Sequence, residues 1–220
     1  MIFNGMIEIG PVRTTLTELI AVVFGLASVW SMKKESILAF PFGIVNVLIY
    51  AYICFISKLY AYSGINIFYA IMSGYGWINW SLKRENDEKI RIRRSSIKGV
   101  VFNLAAILLF FIVLRILLIH YTDSMVPTWD AMTTAIYIIA MWLLATKKIE
   151  NWIGWIIGDI ISIGLFAYEK LYFSSFQFLV FTIIAVFGFL EWRKKLEYRT
   201  SNIEYRSNEK ENDSCSHHRP

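Results

Sequence analysis

The chain alternates long apolar stretches with short polar ones, and the apolar stretches are continuous rather than striped. A run of about 18 or more apolar residues is long enough to cross a hydrocarbon layer roughly 30 Å thick, because each helical residue rises ~1.5 Å. Only helices and closed barrels satisfy every backbone N–H and C=O in lipid, and continuous runs fit helices. The pattern predicts an all-α integral membrane protein with spans at Thr17–Met32, Ile37–Ile56, Tyr62–Leu82, Gly99–Ile119, Ala131–Ala145, Asn151–Tyr168 and Ser175–Trp192. A charged loop, Lys83–Lys98, precedes the fourth span, and a polar segment, His120–Trp129, follows it. The expected organisation is an outer segment 1–16, a core 17–195 and a tail 196–220. The tail is rich in Asn, Ser and charge, a composition that predicts disorder.

Of 220 residues, 56% are hydrophobic, more than a soluble domain of this length can bury. The net charge of +5 does not point to nucleic acid, because the basic residues cluster at the ends of apolar runs. Alternate loops divide them unequally. One side takes Lys33 and Lys34, seven between Lys83 and Lys98, Lys147 and Lys148, and seven after Trp192; the other takes only Arg13, Lys58 and Lys170. Arg115 lies near the end of the fourth span and can snorkel. Cytoplasmic loops carry the excess, so the N-terminus is expected outside and the C-terminus inside. Cys54 sits in a span and Cys215 in the tail, which gives neither a disulfide framework nor a metal spacing. The first fifteen residues have no basic stretch leading to a cleavage site, so no removable signal peptide is expected.

Spans one to three resemble spans five to seven. Lys33-Lys34 matches Lys147-Lys148, with Asn46 twelve residues beyond Lys34 and Asp159 twelve beyond Lys147. Leu59-Tyr60 matches Leu171-Tyr172; Gly76 and Trp80 follow Leu59 at the intervals at which Gly188 and Trp192 follow Leu171. The two sets of matches differ by one residue in register, which a one-residue change in the intervening loop would absorb. Repeat one covers 17–82, the linker helix 99–119 and repeat two 130–195. Three spans reverse direction and the fourth restores it, so the halves run parallel. That places a substrate site near midplane between them.

Asp159 lies near the middle of the sixth span, where an ionised acid costs at least ~2.5 kcal/mol on insertion scales and marks a functional site by default. A protonated acid bonding another helix is the bland alternative. No other span holds a Lys or Arg at that depth, whereas a cationic substrate would neutralise it. Trp152, Trp155 and Asp159 share one helix face, which suits a flat organic cation stacked on indole with a carboxylate beside it. Trp152 alone reads equally well as an interfacial belt residue. Gly154 and Gly158 space small residues for close approach of another helix. Asn46, Asn66 and Gln177 either bind substrate hydroxyls or join helices. Trp129-Asp130 marks the outer edge of the fifth span. The spans hold no lysine for a retinal Schiff base, and neither a phosphate loop nor a metalloprotease motif occurs. His120, His217 and His218 lie at or beyond the membrane edge without metal spacing. No cofactor is expected.

Gly43-Ile-Val-Asn46, Leu59-Tyr60-Ala61 and Tyr75-Gly76-Trp77-Ile-Asn-Trp80 resemble the first half of the PnuC family. Trp129-Asp130 and Lys147 through Asn151-Trp152-Ile-Gly-Trp155 with Asp159 resemble its second half. The resemblance spans roughly Thr17 to Lys195. It implies a SWEET-like three-plus-one-plus-three bundle in the bacterial inner membrane, a homotrimer, and facilitated diffusion of nicotinamide riboside with trapping by a cytoplasmic kinase. Relatives carry thiamine or other vitamins. The riboside carriers tend to have Asn where Asp159 stands and Gln where Asn66 stands, and both known substrate types are flat cations. The alternatives are a thiamine carrier or a seven-helix sensor or scaffold.

Overall fold

The computed structural model describes residues 6–9, 12–56, 60–82, 90–122, 126–168 and 172–216. Lys58, Leu59, Lys83, Lys170, Leu171, His217 and His218, named above, lie outside the described residues. Seven helices follow one another in those that are described: α1 (Leu16–Lys33), α2 (Ala39–Ile56), α3 (Tyr60–Ser81), α4 (Ile97–Tyr121), α5 (Pro127–Ala145), α6 (Asn151–Tyr168) and α7 (Tyr172–Ser216). Helices α4, α5, α6 and the Ser175–Ser201 stretch of α7 are long and apolar enough to cross a membrane.

The predicted spans agree with these helices apart from their ends, and each difference has a local cause. Helix α4 begins at Ile97 because Ser96 caps it, its Oγ accepting from the Gly99 N–H at 3.2 Å. Helix α5 begins earlier than expected, on Pro127, whose fixed φ suits a first turn and whose missing N–H is no loss there. Helix α7 runs past the expected boundary at 195, to Ser216. Spaced opposite charges support the extension, with Arg193 Nε 2.7 Å from Glu197 and Lys195 3.5 Å from Glu191. An antiparallel hairpin, β1 (Met6–Ile9) with β2 (Val12–Thr15), precedes α1 and pairs Met6 with Thr15 and Ile9 with Val12. The all-α expectation missed it, although Ile7, Ile9, Val12 and Thr14 are β-branched and flank Gly10-Pro11.

Helix α4 packs chiefly on α5 and buries no residue, so much of its apolar surface faces outward. The other six helices form two triplets with one pattern: α2 contacts α1 and α3, and α6 contacts α5 and α7. The triplets join where α1 meets α7 and where α3 meets α5.

The same bonds recur in both triplets at one constant offset, 112 residues. Ser63 Oγ donates to Ala51 O at 2.9 Å and Ser175 Oγ to Ile163 O at 3.0 Å. Trp80 Nε1 donates to Leu144 O at 3.2 Å, and Trp192 Nε1 to Met32 O at 3.3 Å. Phe40 meets Trp80 edge-on at 5.0 Å, and Trp152 meets Trp192 edge-on at 5.6 Å. Gly76 leaves room for the Phe40 ring as Gly188 does for Trp152. This offset corrects the register read from the sequence. The counterpart of Asn46 is Gly158, not Asp159, and the counterpart of Lys147 is Glu35, not Lys34. No one-residue loop change is needed. The lysine pairs matched by their preference for the membrane edge.

Glu35 and Lys147 take left-handed backbone conformations, with φ of 58° and 57°. Each closes the helix before it through paired bonds, Glu35 N to Met32 O at 3.0 Å with Ser36 N to Ser31 O at 2.9 Å, and Lys147 N to Leu144 O with Lys148 N to Leu143 O, both at 2.8 Å. Glycine is usual at such a position; a side chain there costs on the order of 1 kcal/mol. Here the two side chains reach each other, Lys147 Nζ lying 2.9 Å from Glu35 Oε2, with Lys195 Nζ 3.1 Å from Oε1. Burial pushes the Glu35 carboxyl up, but the two ammonium groups outweigh it and hold the carboxyl below its ordinary value. Lys147 also lies 4.5 Å from the Trp80 ring centroid and donates to Ile90 O at 3.1 Å. The segment before α4 is strapped on here. Ile90 and Ile92 are buried, Arg93 bridges to the Lys147–Ile149 backbone, and Ser95 N donates to the Glu150 carboxylate at 2.9 Å. Paired ions and packed aromatics thus close this end of the bundle.

Candidate functional site

A cavity of about 340 Å³ lies between the two triplets. Phe40, Met32, Leu144, Trp152 and Ala185 line one end of it, and Tyr50, Asn66 and Gln177 the other. Helix direction sets this order: α1, α3, α5 and α7 run one way and α2 and α6 the other, so Met32, Phe40, Leu144 and Trp152 sit at the Glu35–Lys147 end.

All six residues singled out in the sequence line this one cavity: Asn46 on α2, Asn66 on α3, Trp152, Trp155 and Asp159 on α6, and Gln177 on α7. Their surroundings differ. Trp152 is 1% exposed, with its ring in the hollow at Gly188 and its edge against Trp192. This overturns the interfacial-belt reading of Trp152, which packs in the core and forms part of the cavity floor. Trp155 stacks on Tyr137 with ring centroids 5.3 Å apart and planes 29° apart. The indole N–H groups of both tryptophans are buried and have no hydrogen-bond partner among the described residues. A buried unpaired donor costs about 1–3 kcal/mol.

Asp159 is 4% exposed and lies eight residues into α6, ~12 Å along its axis. Tyr137 Oη donates to Asp159 Oδ1 at 2.9 Å and lies 3.0 Å from Ser162 Oγ. The described lining contains no Lys or Arg, so Asp159 is its sole formally charged group. Asn46 commits its amide: Nδ2 donates to Ala21 O at 2.6 Å, with Gly25 leaving it room. Asn66 and Gln177 are half-buried. The sequence reading did not single out Tyr137. A tyrosine ten residues into α5, far from the interface that aromatic residues favour, was the available signal. Tyr69, nine residues into α3, carried the same signal and lines the cavity too, whereas Ser28 and Ser73 line it without one.

Chemically the site is an aromatic-walled cavity with one acid and a scatter of amides and hydroxyls. That composition suits reversible binding of a nucleoside-sized molecule. Residues 15–194 match the model of a family described as nicotinamide mononucleotide transporter. The chain belongs to this family. It is therefore a multi-pass membrane protein of a transporter family. Similar relatives include the nicotinamide riboside transporter PnuC of Escherichia coli, 24% identical over 84% of this chain and 87% of that one. The PnuC of Neisseria mucosa is 26% identical over 80% and 71%. The riboflavin/roseoflavin transporter RibM of Streptomyces davaonensis is 20% identical over 80% and 84%. A crystal structure of the vitamin B3 transporter PnuC superposes with a TM-score of 0.66 at 24% identity, covering 83% of this chain and 82% of that one, and shares the fold.

Proposed function

We propose that this protein carries nicotinamide riboside across the bacterial inner membrane by facilitated diffusion, with a cytoplasmic kinase trapping the product. The observation that carries the reading is Asp159, an acid at mid-helix on the wall of an aromatic cavity that contains no other formal charge among its described lining residues. Nicotinamide riboside is a flat cation with ribose hydroxyls. Trp155 supplies a stacking face, Asp159 the opposite charge, and Asn46, Asn66 and Gln177 polar contacts for the sugar. The PnuC relatives support the riboside in particular. The same chamber disfavours the mononucleotide. A phosphate beside Asp159, with no described Lys or Arg in the lining, is repelled. Thiamine, another flat cation, is the second reading on the same carboxylate. A sensor or scaffold has less use for such a chamber.

The proposed architecture is a three-plus-one-plus-three parallel repeat, SWEET-like, with seven crossings and α4 as the linker. Bonds recurring 112 residues apart support it, as do the contacts between Trp80 and Trp192 and between Glu35 and Lys147. Rocking of one triplet against the other would open the chamber to each side in turn. The charge imbalance supports an outer N-terminus and a cytoplasmic Glu35–Lys147 end. The family resemblance implies a homotrimer, for which the outward apolar surface of α4 offers a contact. Titration calorimetry of the purified protein against nicotinamide riboside, nicotinamide mononucleotide, thiamine and riboflavin tests the substrate. Tightest binding of the riboside is expected; a preference for the mononucleotide or riboflavin would contradict the reading.

A further inference from the structure

We propose that Tyr137 is a positioning residue that aims the Asp159 carboxylate and thereby sets the preference of the site for a cation over a neutral ligand of the same shape. The inference rests on the counter-charge reading of Asp159 given above. Tyr137 joins Asp159, Ser162 and Trp155. Its hydroxyl donates to Asp159 Oδ1 at 2.9 Å, lies 3.0 Å from Ser162 Oγ, and its ring stacks on Trp155 at 5.3 Å. The ring packs in turn on Gly158, where an added Cβ would collide with it.

The constant offset between the two triplets gives this arrangement its meaning. At the α1–α2 crossing the glycine is Gly25 on α1 and the polar side chain that fills its space is Asn46 on α2. At the α5–α6 crossing the roles are exchanged: Gly158 is on α6 and Tyr137, the counterpart of Gly25, comes from α5. The exchange frees α6 at this level and allows a neighbouring residue, Asp159, to meet the phenol. Asn46 spends its Nδ2 on the Ala21 carbonyl of the backbone. Tyr137 instead spends its proton on an acid. With Oδ1 held by the phenol, Asp159 Oδ2 has no hydrogen bond among the described residues and is the oxygen left for a ligand. A carboxylate fixed in this way presents its charge in one direction. Without the phenol it rotates, and the charge is spread over several poses.

The test uses the full-length protein in detergent, with nicotinamide riboside as the cation and 1,4-dihydronicotinamide riboside as the neutral analogue. Dissociation constants are measured for wild type, Tyr137→Phe, Asp159→Asn and the double variant. Tyr137→Phe keeps the ring, the stacking on Trp155 and the fit at Gly158. It is expected to lower the cation preference about tenfold, the scale of a hydrogen bond to a charged group, while neutral-ligand affinity changes less than about twofold. In the Asp159→Asn background the same substitution should change the preference by less than about twofold, because Tyr137 acts through the acid. Equal weakening of both ligands would make Tyr137 a mere wall residue and overturn the proposal, as would an unchanged preference. If Tyr137→Phe does not fold, Tyr137→Leu removes the hydroxyl and carries the same expectation for the ratio. A wild type that shows no cation preference would overturn the counter-charge reading before any substitution, so the two failures are distinct.

Discussion

Trp80 and Trp192 meet with ring centroids 5.9 Å apart, and each donates its indole N–H to a backbone carbonyl at the end of a helix in the opposite triplet. The two residues stand 112 positions apart and meet where the two triplets pack together. The edge-on partners Phe40 and Trp152 close the floor of the cavity beside it.

The floor is packed to the limit at Gly188. A methyl group there would fall inside the Trp152 ring. Gly188→Ala is expected to destabilise the detergent-solubilised protein by about 1–3 kcal/mol, the usual cost of overpacking. Gly164, which has open space around it, serves as the control, and Gly164→Ala should leave the unfolding temperature nearly unchanged. Thermal unfolding of both variants reads the difference; equal melting would show that the floor tolerates movement.

Trp155 and Trp152 should separate by kind of effect. Trp155→Ala removes a stacking face and is expected to weaken binding of the cation by ~1–2 kcal/mol in a folded protein. Trp152→Ala empties the core around Trp192 and Gly188, so its main effect is on stability, about 3–5 kcal/mol. Calorimetric titration paired with thermal unfolding distinguishes them. Wild-type affinity in folded Trp155→Ala would remove the stacking role.

Glu35 gives a pH dependence whose sign follows from its lowered pKa. A carboxyl depressed in the folded state contributes stability above its unfolded value, and loses it as pH falls through the folded value. The stability difference between wild type and Glu35→Gln should be constant at neutral pH and shrink at pH values below the ordinary 4.5. Melting curves from neutral pH downward check this. A difference that grows toward acid would mean that the carboxyl is not held ionised by Lys147 and Lys195.

Asp159→Asn keeps the shape and much of the hydrogen bonding but removes the charge. Affinity for the cationic riboside is expected to fall about tenfold, while the neutral dihydro analogue is little affected. Equal binding of both ligands by wild type and variant, measured by titration, would contradict the counter-charge role. Thermal unfolding of the variant checks that it folds.

Much of this was legible in the sequence because lipid imposes its own pattern. Continuous apolar runs gave the helices, and an acid in mid-span singled out Asp159. What eluded the sequence was relational. Asn46 and Asp159 shared a spacing from lysines, but lysines drift along a membrane edge, whereas Ser63 and Ser175 or Trp80 and Trp192 are held by directed bonds and keep the true register. Trp152 looked like a belt residue because aromatic residues are common at span ends, and only the hollow at Gly188 reveals it as core. The partnership of Tyr137 with Asp159 joins two helices, so no periodicity within either could have announced it.

Uptake of labelled nicotinamide riboside into proteoliposomes containing only this protein tests the central claim most directly. The expected result is saturable uptake that levels off at equal internal and external concentration, needs no ion gradient, and becomes accumulation once a riboside kinase and ATP are sealed inside. Uptake no faster than into protein-free vesicles, with the protein folded and inserted, would contradict it.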